Sequence, residues 1–135
     1  MRKVNTIFTW CNDIESMRRF YTDLLGLQET FYDAERGWLS HQVQDTLLVF
    51  TRAPSELPVI DEWPMTPARE GGRVYASSWV LEVGPDEFDA VVEKLSGAGV
   101  ECWGPPADRS GGRDFFVRDP MGTTVEVYAA SEPAG

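Results

Sequence analysis

Apolar and polar positions alternate with a period of two from Thr124 to Tyr128, the second half of the stretch FFVRDPMGTTVEVY that begins at Phe115. Phe115 to Val117 and Thr124 to Tyr128 are β-prone runs. Asp119-Pro120-Met121-Gly122 between them sets proline at the second turn position and glycine where a positive φ is needed. This pattern predicts a β-hairpin. On its second strand Val125 and Val127 alternate with Thr124, Glu126 and Tyr128, so one face is apolar while the other carries a carboxylate beside a phenol. A carboxylate in mid-strand, away from any turn, has to be explained.

The same reading, taken from the start of the chain, predicts a strand over Lys3 to Cys11, with Thr6, Phe8 and Trp10 on one face. Asn12-Asp13-Ile14-Glu15 has the spacing of a capping box. Ile14, Met17, Tyr21, Leu24 and Leu25 follow at helical intervals until Gly26. Leu27 to Tyr32, Gly37 to Val43 and Thr46 to Thr51 read as three short strands, completing a βαβββ module over residues 3–52. Residues 53–73 break the rhythm with Pro54, Pro58, Pro64, Pro67 and Gly71-Gly72, and carry Trp63 and Met65. A connection of this length either links two units or lids a site, and here both are expected.

Beyond it the pattern returns. Val74 to Val83 reads as a strand. Pro85 with Asp86 and Glu87 opens a helix whose buried stripe is Phe88, Val91, Val92 and Leu95, and Gly97 and Gly99 close it. Val100 to Trp103, Asp114 to Arg118 and Thr123 to Ala129 then complete a second βαβββ module over residues 74–130. The two modules repeat at about 72 to 78 residues, and neither half buries a core alone. The prediction is a single α+β domain over residues 1–135, two tandem βαβββ modules forming curled mixed sheets around a shared cavity.

Composition narrows what that domain can do. With 135 residues, 42% of them hydrophobic and 25% charged, the chain is long enough for an unstapled core and has no room for a large second domain. A net charge of −10 argues against nucleic acid or an anionic membrane as partner and permits a cationic ligand. Cys11 and Cys102 fall in strand-like runs and read as reduced core residues. No leader precedes Val4 and no apolar run reaches membrane-spanning length, so a cytoplasmic protein is expected. There is no glycine-rich phosphate loop, no Ser-His-Asp or Cys-His set, and no HExxH or CxxC.

Phe20-Tyr21-Thr22-Asp23-Leu24-Leu25-Gly26-Leu27 resembles the helix-end signature of the vicinal oxygen chelate superfamily, and Arg118 to Val127 (RDPMGTTVEV) resembles its terminal hairpin signature. Glyoxalase I, extradiol dioxygenases, fosfomycin-resistance transferases and bleomycin-resistance proteins belong to that group. The resemblance implies paired βαβββ modules, dimerisation and a sheet-lined cavity. It also implies a divalent metal in the enzymes of the family, with one ligand from the first and one from the last strand of each module. Carried over by position, Thr6 stands where the first strand often has His or Gln, Leu48 where its last strand offers Glu, Ser78 where His is common, and Glu126 where the final Glu is expected. Hydroxyls are poor transition-metal donors and Leu48 is none, so loss of the metal site is expected.

Glu126 then has several readings. It is a remnant neutralised by Arg36, Arg113 or a backbone amide, or an anchor for a donor or cation on a ligand, or a base with a raised pKa. His41 is a single histidine without spaced partners, more typical of a satisfied residue than of a ligand. Arg118 and Asp119 bracket a turn and are expected to serve its geometry. Five tryptophans, at 10, 38, 63, 79 and 103, join Phe8, Phe50, Phe115, Phe116 and Tyr128 on or near strands. Several of these must fill the half-cores.

If the faces of Trp10 and Glu126 line the cavity, it is an aromatic slot with one acid, suited to planar or cationic molecules. The expected function is metal-independent binding of a small aromatic or cationic molecule, antibiotics included, by a homodimer. Its expected ligand contacts are Thr6, Phe8, Trp10, Trp38, Leu48, Phe50, Trp63, Ser78, Glu126 and Tyr128, with no cofactor. The alternative is a glyoxalase-, dioxygenase- or transferase-type enzyme holding one divalent ion through Glu126 and His41. A third is a noncatalytic partner domain whose cavity is filled by its own side chains.

Overall fold

The structure, a computed structural model, describes residues 1–63, 78–109 and 111–131. It divides into two compact units, Met1–Val59 and Ile60–Gly135. The first contains β1 (Thr6–Cys11), α1 (Ile14–Arg18) continuing as a π-helical segment (Arg19–Leu24), β2 (Gln28–Asp33), β3 (Trp38–Val43) and β4 (Thr46–Arg52). The second contains β5 (Ser78–Glu82), α2 (Phe88–Gly97), β6 (Ala107–Arg109), β7 (Gly112–Arg118) and β8 (Thr124–Ala130). The sheet orders β1-β4-β3-β2 and β5-β8-β7-β6 have the same topology, with the first and last strands of each unit parallel. The fold is α+β, built from tandem βαβββ modules.

Local chemistry moved several predicted elements. The cap of α1 is Asp13, whose carboxylate accepts from the Glu15 amide at 3.1 Å. Asn12 instead clamps Leu57, giving its amide N–H to the carbonyl (2.8 Å) and taking the backbone N–H (2.7 Å). The helix then widens, and the N–H of Leu25 reaches the carbonyl of Phe20, five residues back, at 2.9 Å. Phe20 and Tyr21 are buried with Ile14 and Met17, and past the widened turn Leu25 is buried while Leu24 is only half-buried.

In the second unit Val100 to Trp103 is not a strand. Cys102 makes one isolated bridge to Val117, and Cys102 is exposed rather than a core residue, whereas Cys11 is buried. The sheet is completed by Ala107–Arg109 beyond Gly104-Pro105-Pro106, because proline has no N–H to give a ladder. Of the strand expected over residues 74–83, Ser78–Glu82 is described. Residues 74–77, like Pro64, Met65, Pro67 and Gly71-Gly72 of the connection, lie outside the described residues.

Each sheet packs its helix on one face. Phe50 of β4 stacks on Tyr21 with ring centroids 4.5 Å apart, which places Leu39, His41, Leu48 and Phe50 on the helix side by strand alternation. In the second unit the Arg113 guanidinium lies 4.5 Å from the Phe88 ring centroid of α2, so Phe115, Val117, Val125 and Val127 face that helix. All four are at most 2% exposed.

The β7–β8 turn is set by Asp119. Its Oδ1 accepts from the backbone N–H groups of Met121 (2.9 Å) and Thr123 (3.0 Å), while Gly122 takes φ +79°. This assigns Asp119 to turn geometry, as its place in the sequence predicted. The register that follows is Arg118↔Thr124, Phe116↔Glu126 and Asp114↔Tyr128.

Candidate ligand site

The face of the second sheet turned away from α2 carries Ser78 and Val80 from β5, Thr124, Glu126 and Tyr128 from β8, and Asp114, Phe116 and Arg118 from β7. Glu126 stands between Val80 on one neighbouring strand and Phe116 on the other, with no hydroxyl or amide directly across from it. Asp114 is its diagonal neighbour, at the spacing of about 7–8 Å usual for such pairs. Burial raises the Glu126 pKa above its ordinary value, the Asp114 carboxylate adds to the rise, and Arg109 opposes it. Arg109 is itself engaged. Its Nε–H donates to Asp114 Oδ2 at 2.7 Å, and the Asp114 side chain is 5% exposed.

Alongside this row lies a pocket of about 300 Å³, with Trp103, Pro105, Pro106 and Phe116 as apolar walls and Arg109 and Asp114 as its polar part. The Trp103 backbone N–H bonds to the Phe116 carbonyl at 3.0 Å, which fixes the wall to β7. Trp63 meets Trp103 edge-on, ring centroids 5.8 Å apart, and its ring lies 4.5 Å from the Arg118 guanidinium, which also pairs with Glu101 at 3.3 Å. Trp63 of the connection thus sits in the second unit, one aromatic step from the pocket wall.

The expected ligand contacts divide between faces. In the first sheet Thr6, Phe8, Trp10 and Trp38 share the face away from the helix, where Phe8 meets Trp38 edge-on at 6.0 Å and Phe8 and Trp10 are more than half exposed. Leu48 and Phe50 lie on the other face, in the core under α1 and its π-helical continuation. Placing Leu48 with Glu126 was a one-residue slip along β4, and a slip of one reverses the face. The first-sheet counterpart of Glu126 on the correct face is Val49.

His41 is 0% exposed on the helix side, with Nε2 on the Thr22 hydroxyl at 2.8 Å. Thr22 in turn donates to Glu29 at 3.2 Å, and Glu29 holds Arg18 through two bonds of 2.8 and 3.1 Å. His41 Nδ1 makes no hydrogen bond of ordinary geometry, although Leu48's backbone weakly favours the imidazolium. Burial outweighs that help and the attraction of Glu29, and holds the imidazole pKa below its ordinary value. His41 is therefore a packed member of a polar network. The cation acting on Glu126 is Arg109, not Arg36, which pairs with Asp33, nor Arg113, which lies on the opposite face with Asp89 and Asp108.

Arg109, Asp114 and Trp103 were not among the predicted contacts. Asp114 was within reach, since counting back from the turn puts it on the Glu126 face. Arg109 had no local signal.

The folded chain is a small α+β scaffold of two βαβββ modules, with the mid-strand carboxylate of Glu126 on the sheet face turned away from α2. The profile of the Glyoxalase/Bleomycin resistance protein/Dioxygenase superfamily matches residues 3–127, and the chain belongs to that superfamily. Solved structures of similar fold include a glyoxalase/dioxygenase from Nostoc punctiforme (24% identity, 97% of this chain and 92% of that one, TM-score 0.76). Others are the oxidase ChaP-H2 (18%, 99% and 98%, 0.70) and the fosfomycin resistance protein FosX from Listeria monocytogenes (14%, 97% and 95%, 0.69). At these identities the likeness is one of fold. A search of curated proteins found no match.

A divalent metal, which the resemblance implies for enzymes of this superfamily, would need donors at four strand positions. The positions that would supply ligands hold Thr6 and Val49 in the first sheet and Ser78 and Glu126 in the second. These are two hydroxyls, an isopropyl group and one carboxylate. Among the described residues no three His, Cys, Asp or Glu side chains come together. This donor set does not fit a divalent transition metal. Among the described residues no helix is long and apolar enough to cross a membrane.

Proposed function

We propose that the protein binds a small planar or cationic organic molecule, antibiotics included, on the face of its second sheet turned away from α2, without a metal and in the manner of the superfamily's drug-sequestering branch. One observation carries the reading: a carboxylate flanked by Val80 and Phe116, with no hydrogen-bond donor directly across from it among the described residues, beside a pocket of about 300 Å³ walled by Trp103, two prolines and Phe116. A ring stacked on Trp103 gains dispersion and, if charged, cation–π attraction of about 0.5–2 kcal/mol. A cationic head near Glu126 gains a partner in a partly desolvated place, where charge pairs are stronger than in bulk water.

The test is tryptophan quenching and titration calorimetry against a panel of planar cations, neutral analogues and anions, on protein whose metal content has been measured. Saturable binding of cations by metal-free protein, weakened by Glu126→Gln, is the expected result. A stoichiometric divalent ion whose removal abolishes binding would overturn it. The proposal includes a cytoplasmic homodimer, and light scattering on the purified protein reads the assembly directly.

A further inference from the structure

We infer that Arg109 is an intramolecular stand-in for the ligand's cation, so that the site selects planar amidinium or guanidinium compounds, which replace it on Asp114. The inference rests on the binding reading above and specifies its substrate class.

The pocket itself carries the argument, because a cation already occupies its polar part. Arg109 ends β6, a three-residue edge strand paired only with β7. Its side chain is 42% exposed, while that of Asp114 is 5% exposed, and one hydrogen bond of 2.7 Å from Nε joins them. A carboxylate buried to that extent has to be hydrogen-bonded or paired, and at Asp114 the partner is a cation. Arg109 meets this need from the solvent side through one N–H, rather than through the two-bond fork that a guanidinium and a carboxylate can form. Immobilising its long side chain also costs rotamer entropy, which is returned when it is displaced.

Charge is left over at the site. Asp114 and Glu126 are diagonal neighbours on one face, and Arg109 neutralises one negative charge of the two. A ligand cation entering from the pocket reaches the Asp114 side of this pair with its ring against Trp103 and Phe116, the aromatic walls of the pocket. About 300 Å³ is the small end of ligand cavities and suits one or two fused rings. A planar amidinium offers Asp114 the fork that Arg109 does not complete.

The experiment titrates benzamidine, with benzamide as the neutral isostere and benzoate as the anion, into full-length wild type, Arg109→Gln, Arg109→Lys and the double variant Arg109→Gln with Asp114→Asn. Near-UV circular dichroism verifies the fold of each. The expected result is that Arg109→Gln binds benzamidinium about tenfold or more tighter than wild type, benzamide affinity changes little, Arg109→Lys is intermediate, and the double variant loses the gain. The glutamine keeps a neutral donor for Asp114, so the pocket need not collapse. Equal or weaker benzamidinium binding by Arg109→Gln, with wild type binding, overturns the stand-in while leaving the binding site. Benzoate binding that the variant loses makes Arg109 an anion contact and overturns it likewise. No saturable response to any probe in any variant overturns both readings. Binding by Arg109→Gln alone supports the stand-in.

Discussion

Replacing Asp119 by alanine should cost about 2–4 kcal/mol, although the residue touches no proposed ligand. Its Oδ1 accepts two backbone N–H groups, from Met121 at 2.9 Å and Thr123 at 3.0 Å, in a turn where Met121 is buried and Thr123 half-buried. Alanine removes both acceptors at once. A buried N–H left without a partner costs about 1–3 kcal/mol, and water repairs part of the loss at Thr123, which gives the stated sum. Against a total of about 5–15 kcal/mol for a domain, the loss is large. Asp119→Asn keeps an acceptor oxygen and should lose under half as much. Urea denaturation at pH 7, followed by tryptophan fluorescence, reads both values. The turn also holds Phe116 opposite Glu126, so the amide resonances of both should shift in the alanine variant and stay in place in the asparagine one. A loss below about 1 kcal/mol, or an asparagine variant as unstable as alanine, would refute the assignment of the turn to this carboxylate.

Other outcomes follow from the same geometry. Gly122→Ala should destabilise by more than about 2 kcal/mol in thermal or urea unfolding, because φ is +79° and the added Cβ would collide with the Ile60 carbonyl; wild-type stability would show that contact to be absent. His41 is held below its ordinary pKa, so the unfolded chain takes up its proton first. Its contribution is full above about pH 6.5 and declines as pH falls from there toward the folded value, a slope that His41→Phe should flatten between pH 5 and 7. Glu126 has the opposite sign. Its raised folded pKa means stability is lost as pH rises from about 4.5 through that value, so Glu126→Gln should be the more stable protein at pH 7 while binding cations less well, and equal stability at both pH 4 and pH 7 would count against the burial. Phe50→Ala, removing a fully buried ring stacked on Tyr21, should cost about 3–5 kcal/mol by urea midpoint.

Some elements were legible because their physics is local. The hairpin over Phe115 to Tyr128 is specified by two β-prone runs, the second of them alternating, and by Asp-Pro-x-Gly, whose turn chemistry needs nothing from the rest of the chain. The βαβββ order was legible for the same reason, since periods of two and 3.6 survive in isolated segments. Where a choice depended on partners, the pattern misled. Asn12 has a capping side chain, but Leu57, forty-five positions on, claimed it. The π-widened turn at Arg19–Leu24 leaves no trace in helical periodicity, because its register is settled by how Phe20 and Tyr21 pack.

By itself, then, the amino-acid order determined that two mixed sheets form in tandem and that Glu126 points to the face opposite Val125 and Val127. Both follow from alternation along single strands. Tertiary structure alone decided that Leu48 belongs to the core, that His41 is locked to Thr22, and that Arg109 rather than Arg36 or Arg113 governs the acid. Each of these depends on which strand lies beside which, and in what register, and that information exists only once separated segments have paired.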